Sequence, residues 1–152
     1  MAGSRFALWW LPEARTYALP LAMAAAFWLL LPRGLPGRWL AALLWLPLLW
    51  PARELPGPGG VELQVFDVGQ GLSVLVRTQR HALLYDAGPA VRDGWDAGER
   101  AVMPALRALG VQRLDRIVVS HADMDHAGGL PAVRAAIAAG AVLAPPGAGL
   151  EI

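Results

Sequence analysis

The segment 114–130, LDRIVVSHADMDHAGGL, constrains the fold of this chain more than any other part of the sequence. Its apolar run at 117–119 is short, β-branched and bounded by charged and turn-forming residues, which predicts a buried strand. Directly after that strand the chain offers four side chains that can bind a metal ion, namely His121, Asp123, Asp125 and His126. This grouping predicts a metal site at the end of the strand.

The spacing of these four side chains suits two metal ions. Alternate residues of an extended segment point the same way, so His121, Asp123 and Asp125 can share one side. A turn at 125–126 would then bring His126 beside Asp125. We therefore expect one ion to face His121 and Asp123, and a second ion, about 4 Å away, to face Asp125 and His126.

The order of these four residues, followed by a glycine pair at 128–129, resembles the metal motif of the metallo-β-lactamase fold. That motif usually has His where this chain has Asp123. Upstream, the segments 65–71, VFDVGQG, and 84–89, LYDAGP, resemble the opening strands of that fold as they occur in the ComEC family of competence proteins. The Asp variant of the motif also occurs in that family. The resemblance extends over about residues 32–143.

ComEC-family proteins are DNA-uptake proteins of the bacterial inner membrane with a C-terminal metallo-β-lactamase-like domain. The resemblance therefore implies a metal-dependent hydrolase that acts on single-stranded DNA, with other competence proteins as partners. The fold supplies a further His and Asp from its second half. We accordingly expect this chain to be a fragment of a longer protein and to be inactive alone.

Two aspartates upstream of the metal motif stand at predicted strand ends that face the same rim of the sheet. Asp67 and Asp86 are interpreted as residues that support the site. The alternative for both is a turn-making role, because Asp before glycine-rich sequence commonly bonds its own backbone. For Asp86, direct binding of a metal ion is a further alternative. Trp95, in the polar loop 91–98, is interpreted as a packing or lid residue rather than a substrate platform. His81 is expected at the surface.

The pattern of strands and helices predicts an α/β sandwich, of which this chain would form the N-terminal half. Alternating or short apolar runs predict strands, and longer amphipathic or alanine-rich runs predict helices. Pro104 places the start of the first helix near Val102 or bends it there. The predicted strands are 61–67, 72–76, 81–85, 117–119 and 141–143, and the predicted helices are 99–109 and 130–139.

The first sixty residues differ in composition from the rest. Two uncharged apolar runs, 17–31 and 39–50, have tryptophans at or near their ends, as in an interfacial aromatic belt. We predict a helical membrane hairpin with spans at about 16–32 and 39–51, although each run is shorter than the roughly 20 residues that cross a bilayer. Two buried core helices or a signal peptide are the alternatives. The predicted domains are a membrane-associated region 1–52, a linker 53–60 and a partial hydrolase-like domain 61–152.

Charge and composition bound the remaining possibilities. The chain contains no cysteine, which excludes thiolate metal sites. Residues 61–152 carry a net charge of −2, so this part is not a basic DNA-binding surface, whereas residues 1–60 carry +3. Arg33 and Arg38 favour a cytoplasmic connector between the spans, which would place the C-terminal domain outside the cytoplasmic membrane of a multi-pass protein. Arginines on the two flanks oppose this orientation.

The chemistry of the motif favours phosphodiester hydrolysis. Paired cations lower the pKa of a shared water and stabilise charge on phosphoryl oxygens. Asp125 is the expected catalytic residue, because it can orient that water while binding metal. Asp123 replaces an imidazole by a hard oxygen, which shifts the metal preference of the site from zinc towards manganese or magnesium. We expect two divalent ions, manganese or zinc.

Two alternative functions stay open. One is that of a non-catalytic membrane piece of a DNA-uptake channel, and the other is that of another membrane-anchored hydrolase of the same fold.

Overall fold

The computed structural model describes residues 13–32, 37–52, 54–91 and 94–148. The chain divides into two compact units, Met1–Arg53 and Glu54–Ile152. The first contains helix α1 at Ala18–Leu30, a 3₁₀ helix at Arg38–Trp45 and a short helix α2 at Leu46–Leu49. These elements coincide with the two apolar runs of the sequence.

The N-terminal unit exposes much of its apolar surface. Leu30 is 84% exposed and Trp39 is 86% exposed, and Phe27 and Leu40 are also exposed. Helix α1 has 13 residues, a length of about 20 Å against the roughly 30 Å of a bilayer core. Among the described residues, no helix is both long and apolar enough to cross a membrane. The hairpin therefore stays a prediction, and Arg33 of its connector lies outside the described residues.

The C-terminal unit is built on a five-stranded sheet in the order β1-β2-β3-β4-β5. The β1–β2 and β2–β3 pairs are antiparallel, whereas the β3–β4 and β4–β5 pairs are parallel. The parallel pairing brings the C-terminal ends of β3 and β4 to the same edge, where Tyr85 lies opposite Val118. The strands are β1 at Glu62–Val65, β2 at Val74–Arg77, β3 at Ala82–Tyr85, β4 at Arg113–Val118 and β5 at Ala138–Leu143.

Helices pack on one face of this sheet to form the core. Leu75, Leu84 and Ile117 of the central strands are fully buried. They belong to one apolar cluster with Leu106 and Val133 from the helices. The helices are a π-helical turn at Gly98–Val102, α3 at Met103–Ala108, the single turn α4 at Met124–Ala127 and α5 at Leu130–Ala136.

The opposite face of the sheet is more open. Leu63 and Val65 of β1 pair with Val76 and Val74 of β2, and both β1 side chains are exposed by about two-thirds. At the other edge Leu143 is also exposed. The observed fold confirms the predicted mixed α/β class with helices on a sheet. An apolar open face is what the N-terminal half of a sandwich would present.

One helix boundary agrees with the sequence prediction and one differs. The predicted helix 99–109 is a π-helical turn followed by α3, and α3 begins at Met103 with Pro104 in its first turn, in agreement with the predicted start near Val102. The second predicted helix, 130–139, ends at Ala136 because Ala138 already pairs with Arg113 in the sheet. Strand β5 is correspondingly longer than predicted. Alanine favours a helix only weakly, and parallel pairing with β4 overrides that preference.

Candidate metal centre

The chain after β4 turns sharply into a single helical turn. β4 ends at Val118, and helix α4 begins at Met124, directly after Asp123. The Asp123 carbonyl accepts hydrogen bonds from the N–H groups of His126 and Ala127, at 3.0 and 2.8 Å. The expected extended course as far as residue 125 is therefore wrong. The helical turn instead places Asp125 and His126 side by side and returns them towards His121.

Three of the four predicted ligands converge in the structure. One potential ligand atom each from His121, Asp125 and His126 lies within 4.8 Å of the other two. The centroids of the two imidazole rings are 4.0 Å apart. All three residues are partly exposed, so a metal ion and a substrate could reach them.

Asp123, the fourth predicted ligand, lies against His121. Its Oδ2 is 3.3 Å from His121 Nε2, and its side chain is largely exposed. In the same way, Asp125 Oδ2 lies 3.6 Å from His126 Nε2. Each histidine therefore has its Nε2 atom beside a carboxylate. These two pairs are the ones that the spacing predicts for two ions, and the assignment of two ions stays a prediction.

A buried carboxylate holds His126. Asp86, at the end of β3, is fully buried, and its Oδ2 lies 2.7 Å from His126 Nδ1. An ionised carboxylate can only accept a hydrogen bond, so this contact keeps the proton on Nδ1 and leaves the Nε2 lone pair for a metal. A carboxylate behind a ligating histidine is a common arrangement in metal sites. The position of Asp86 is the one that its predicted supporting role requires.

Ser120 links both histidines to Asp86, a connection that the sequence analysis missed. The Ser120 hydroxyl donates to Asp86 Oδ2, and its N–H donates to Asp86 Oδ1, each at 2.7 Å. With its hydrogen committed, the hydroxyl oxygen can accept from His121 Nδ1, 2.8 Å away. His121 would then also offer Nε2 as the free ligand atom. A hydroxyl residue directly before the histidine, just after a strand that runs parallel to the strand before Asp86, was the available signal.

The glycine-rich loop before β2 packs directly on Asp125. The Leu72 N–H donates to the Asp125 carbonyl at 3.3 Å. At Gly71, which has φ +153°, a Cβ atom would lie 2.3 Å from that same oxygen. Only glycine fits such a close approach. The loop 69–71 thus helps to fix the backbone of a predicted ligand.

Asp67 and His81 lie outside this network. Asp67 is exposed, and its Oδ1 accepts a hydrogen bond from the Gly69 N–H at 3.3 Å, which is the turn-making alternative. His81 is exposed as predicted, with Nδ1 3.3 Å from Asp115 Oδ2. The Ala82 N–H, which donates to Asp115, holds the pKa of that carboxyl below its usual value, and His81 and Arg113 act in the same direction. The ionised Asp115 carboxylate therefore stabilises the fold, and this stabilisation is lost as the pH falls through the lowered pKa of Asp115.

The donor set suits a divalent cation. Two imidazole Nε2 atoms and a carboxylate form the kind of three-residue set that catalytic zinc sites use. Carboxylate oxygen also suits manganese and magnesium. Because both Nδ1 atoms contact Ser120 or Asp86, the ligand atoms are oriented before any ion binds. The described residues therefore fit a bound divalent ion.

Comparison with known proteins assigns a family to this region. A family model described as the metallo-beta-lactamase superfamily matches residues 66–150. The chain is 42% identical to competence protein ComA of Neisseria gonorrhoeae in an alignment of 137 residues that covers 85% of this chain and 19% of that protein. These similarities confirm the resemblance to competence proteins that the motifs indicate.

Two shorter matches extend the comparison. Recombination protein 2 of Haemophilus influenzae is 38% identical over 68 residues, 45% of this chain and 8% of that protein. A hydroxyacylglutathione hydrolase of Albidiferax ferrireducens is 42% identical over 65 residues, 43% of this chain and 22% of that protein. The chain thus spans about a fifth or less of the length of these curated relatives.

Proposed function

Because the chain belongs to the metallo-β-lactamase superfamily, we propose that its Glu54–Ile152 unit is a metal-dependent hydrolase module of a DNA-uptake protein. The observation that carries this proposal is the convergence of His121, Asp125 and His126, whose ligand atoms lie within 4.8 Å of one another. The buried carboxylate of Asp86 behind His126 supports it.

We assign the metal ligands to His121, Asp123, Asp125 and His126, for two divalent ions, manganese or zinc. Such ions, when bound, supply an acidified water and neutralise charge that develops on a phosphoryl oxygen. The two histidines bind through Nε2. Asp86 and Ser120 hold the Nδ1 protons away from the metal side.

Asp125 has a second task in this proposal. Its side chain is about half exposed, so one carboxylate oxygen can bind metal while the other accepts a hydrogen bond from the attacking water. Because the Leu72 N–H binds the Asp125 carbonyl, the backbone of this residue is held in place. Orientation of a nucleophile by a fixed group is a large source of rate acceleration. Asp125 is thus the proposed catalytic residue.

Single-stranded DNA is the proposed substrate. The names of the relatives include a competence protein and a recombination protein, which supports a role with DNA. The carboxylates Asp123 and Asp125 favour hard cations, and hard cations stabilise phosphoryl oxygens well. Other competence proteins are proposed partners in uptake.

Replacement of the matched segment in gonococcal ComA by this chain tests the function. We expect the purified chimera to cleave labelled single-stranded DNA with manganese, and the isolated chain to be far slower, because its described ligands form only one wall of a site. In a chimera with His121→Ala and Asp125→Ala, the cleavage rate should fall by more than the roughly 10–100-fold that loss of one supporting residue costs. Undiminished cleavage by that variant would contradict the proposal.

A second candidate is hydrolysis of a smaller substrate. The match to a hydroxyacylglutathione hydrolase supports it. The same chimera and chain, offered a hydroxyacylglutathione in place of DNA, separate the two candidates. Turnover of the thioester without cleavage of DNA would favour this second function. Metal binding without either reaction would favour a non-catalytic part of an uptake channel.

We also propose that the N-terminal unit attaches the module to the bacterial inner membrane, with the C-terminal unit on the extracytoplasmic side. Its exposed apolar side chains, such as those of Leu30 and Trp39, support this, because a soluble surface rarely exposes so many. Expressed whole, the chain is expected to stay with membranes after carbonate washing, and residues 59–152 alone are not. Recovery of the whole chain in the carbonate supernatant would contradict the attachment.

A further inference from the structure

A pocket opens beside the candidate metal centre in the C-terminal unit. Its volume is about 570 Å³, within the roughly 300–1,000 Å³ that is usual for small-molecule sites. Asp125 belongs both to the pocket wall and to the metal group. A substrate whose reacting bond lies at the metal group would therefore place its neighbouring part in this pocket.

The chemistry of the wall favours an uncharged group with apolar surface. Gln70 and Asp125 provide the polar side chains of the wall, and none of its described residues is cationic. Among the described wall residues a phosphate would meet the charge of Asp125 without a compensating cation, so it fits the metal side better. The apolar side chains of the wall are those of Val68, Pro89, Ala90, Val91, Trp95 and Met124.

Trp95 is held at the pocket by its backbone. The Val91 N–H donates to the Trp95 carbonyl at 2.8 Å. Ala90 and Asp96 form an isolated β-bridge, and the Ala97 N–H donates to the Pro89 carbonyl at 2.8 Å. The loop is thus closed around its base, and Trp95 remains 36% exposed. Because the backbone that carries this exposed indole is held, offering its ring face to a ligand costs less entropy than it would from a free loop.

We propose that this pocket binds a nucleobase of the single-stranded DNA substrate, stacked on Trp95. The inference rests on the proposed function and names the part of the substrate that lies next to the cleaved bond. Aromatic stacking accepts every base, because each base has a π-face. The Gln70 amide can donate and accept, so it can bond the polar edge of different bases. Trp95 is then a substrate platform, contrary to the packing role that the sequence favours.

Binding of a labelled single-stranded oligonucleotide to the full chain, in detergent and EDTA, tests this inference without the metal centre. We expect Trp95→Ala to weaken binding about tenfold, within the range known for loss of one base stack. Trp95→Phe, which keeps a ring, should retain most of the affinity. An oligonucleotide of the same length with abasic sites throughout should bind equally to wild type and Trp95→Ala.

Trp39→Ala is the matched control, since Trp39 is an exposed tryptophan of the N-terminal unit and does not line the pocket. Unchanged affinity of Trp95→Ala for the ordinary strand would overturn the inference, and so would an equal loss with the abasic strand. The proposed function can fail separately. Base-dependent binding through Trp95 without cleavage by the chimera would support the nucleobase pocket and contradict the hydrolase function. Cleavage that needs Asp125, with normal binding by Trp95→Ala, would contradict only the inference about the pocket.

Discussion

Replacement of His121 and Asp125 together by alanine is expected to abolish the rise in melting temperature that manganese or zinc gives the wild-type chain. A ligand that binds only the folded state stabilises it by about 2.7 kcal/mol at a hundred times its Kd. For a chain of this size that corresponds to a shift of roughly 5–10 °C. The variant keeps His126 as the only member of the converging group, and one imidazole holds a divalent ion weakly.

A second His–Asp pair in the same unit provides the control. His81 Nδ1 lies 3.3 Å from Asp115 Oδ2, so the double variant His81→Ala, Asp115→Ala removes the same residue types. That variant is expected to melt somewhat lower, because Asp115 also accepts a hydrogen bond from the Ala82 N–H. Its response to metal should equal that of the wild type. A full metal shift in the His121, Asp125 variant would show that the ions bind elsewhere.

Among single substitutions at the site, Asp86→Ala is expected to lower the free energy of unfolding most. Its carboxylate is fully buried and bonds the Ser120 N–H, the Ser120 hydroxyl and His126 Nδ1. Removal of one partner from a buried charged network costs about 3–5 kcal/mol. Asp86 also has φ +57°, a conformation that Asp and Asn tolerate better than alanine. Chemical denaturation measures the loss.

Asp86→Asn separates stability from support of the metal. Asparagine keeps the shape and tolerates the positive φ, so a smaller loss of stability is expected. Metal affinity should nevertheless fall about 10–100-fold, because the carboxylate behind His126 is gone. Asp67→Ala is the comparison at another strand end. A loss of metal affinity there would show the supporting role predicted for Asp67, whereas an unchanged affinity would leave it as a turn residue.

The strands were predictable because their signals are local. Ile117 and Val119 are buried in and just after β4, as the apolar run predicts, and the three earlier strands begin or end within a few residues of their predicted positions. Turn residues and charges bound each of them. The helix at 130–139 was predicted too long, because its end depends on the pairing of Ala138 with Arg113, which is 25 residues away in sequence. Helix propensity depends on neighbouring residues and cannot predict that long-range contact.

In the candidate site, too, the features with a local sequence signal were predictable and those that depend on distant contacts were not. The potential ligands are visible in the sequence because His and Asp recur at short spacing beside one strand. Ser120 was missed because its contact with Asp86 joins residues just after the ends of β3 and β4, which only the parallel sheet brings together. The helical turn at Met124–Ala127 was missed because it is a single turn without a periodic apolar pattern. The geometry that orients both histidines is thus a property of the sheet.

Anomalous scattering from crystals of the chain grown with manganese would locate the metal ions themselves. We expect a manganese peak about 2.0–2.3 Å from the Nε2 atoms of His121 or His126 and from a carboxylate oxygen of Asp125. A second peak beside Asp123 would show the two-ion arrangement. An occupied manganese site elsewhere in the crystal, with no peak among these residues, would contradict the assignment of the metal centre.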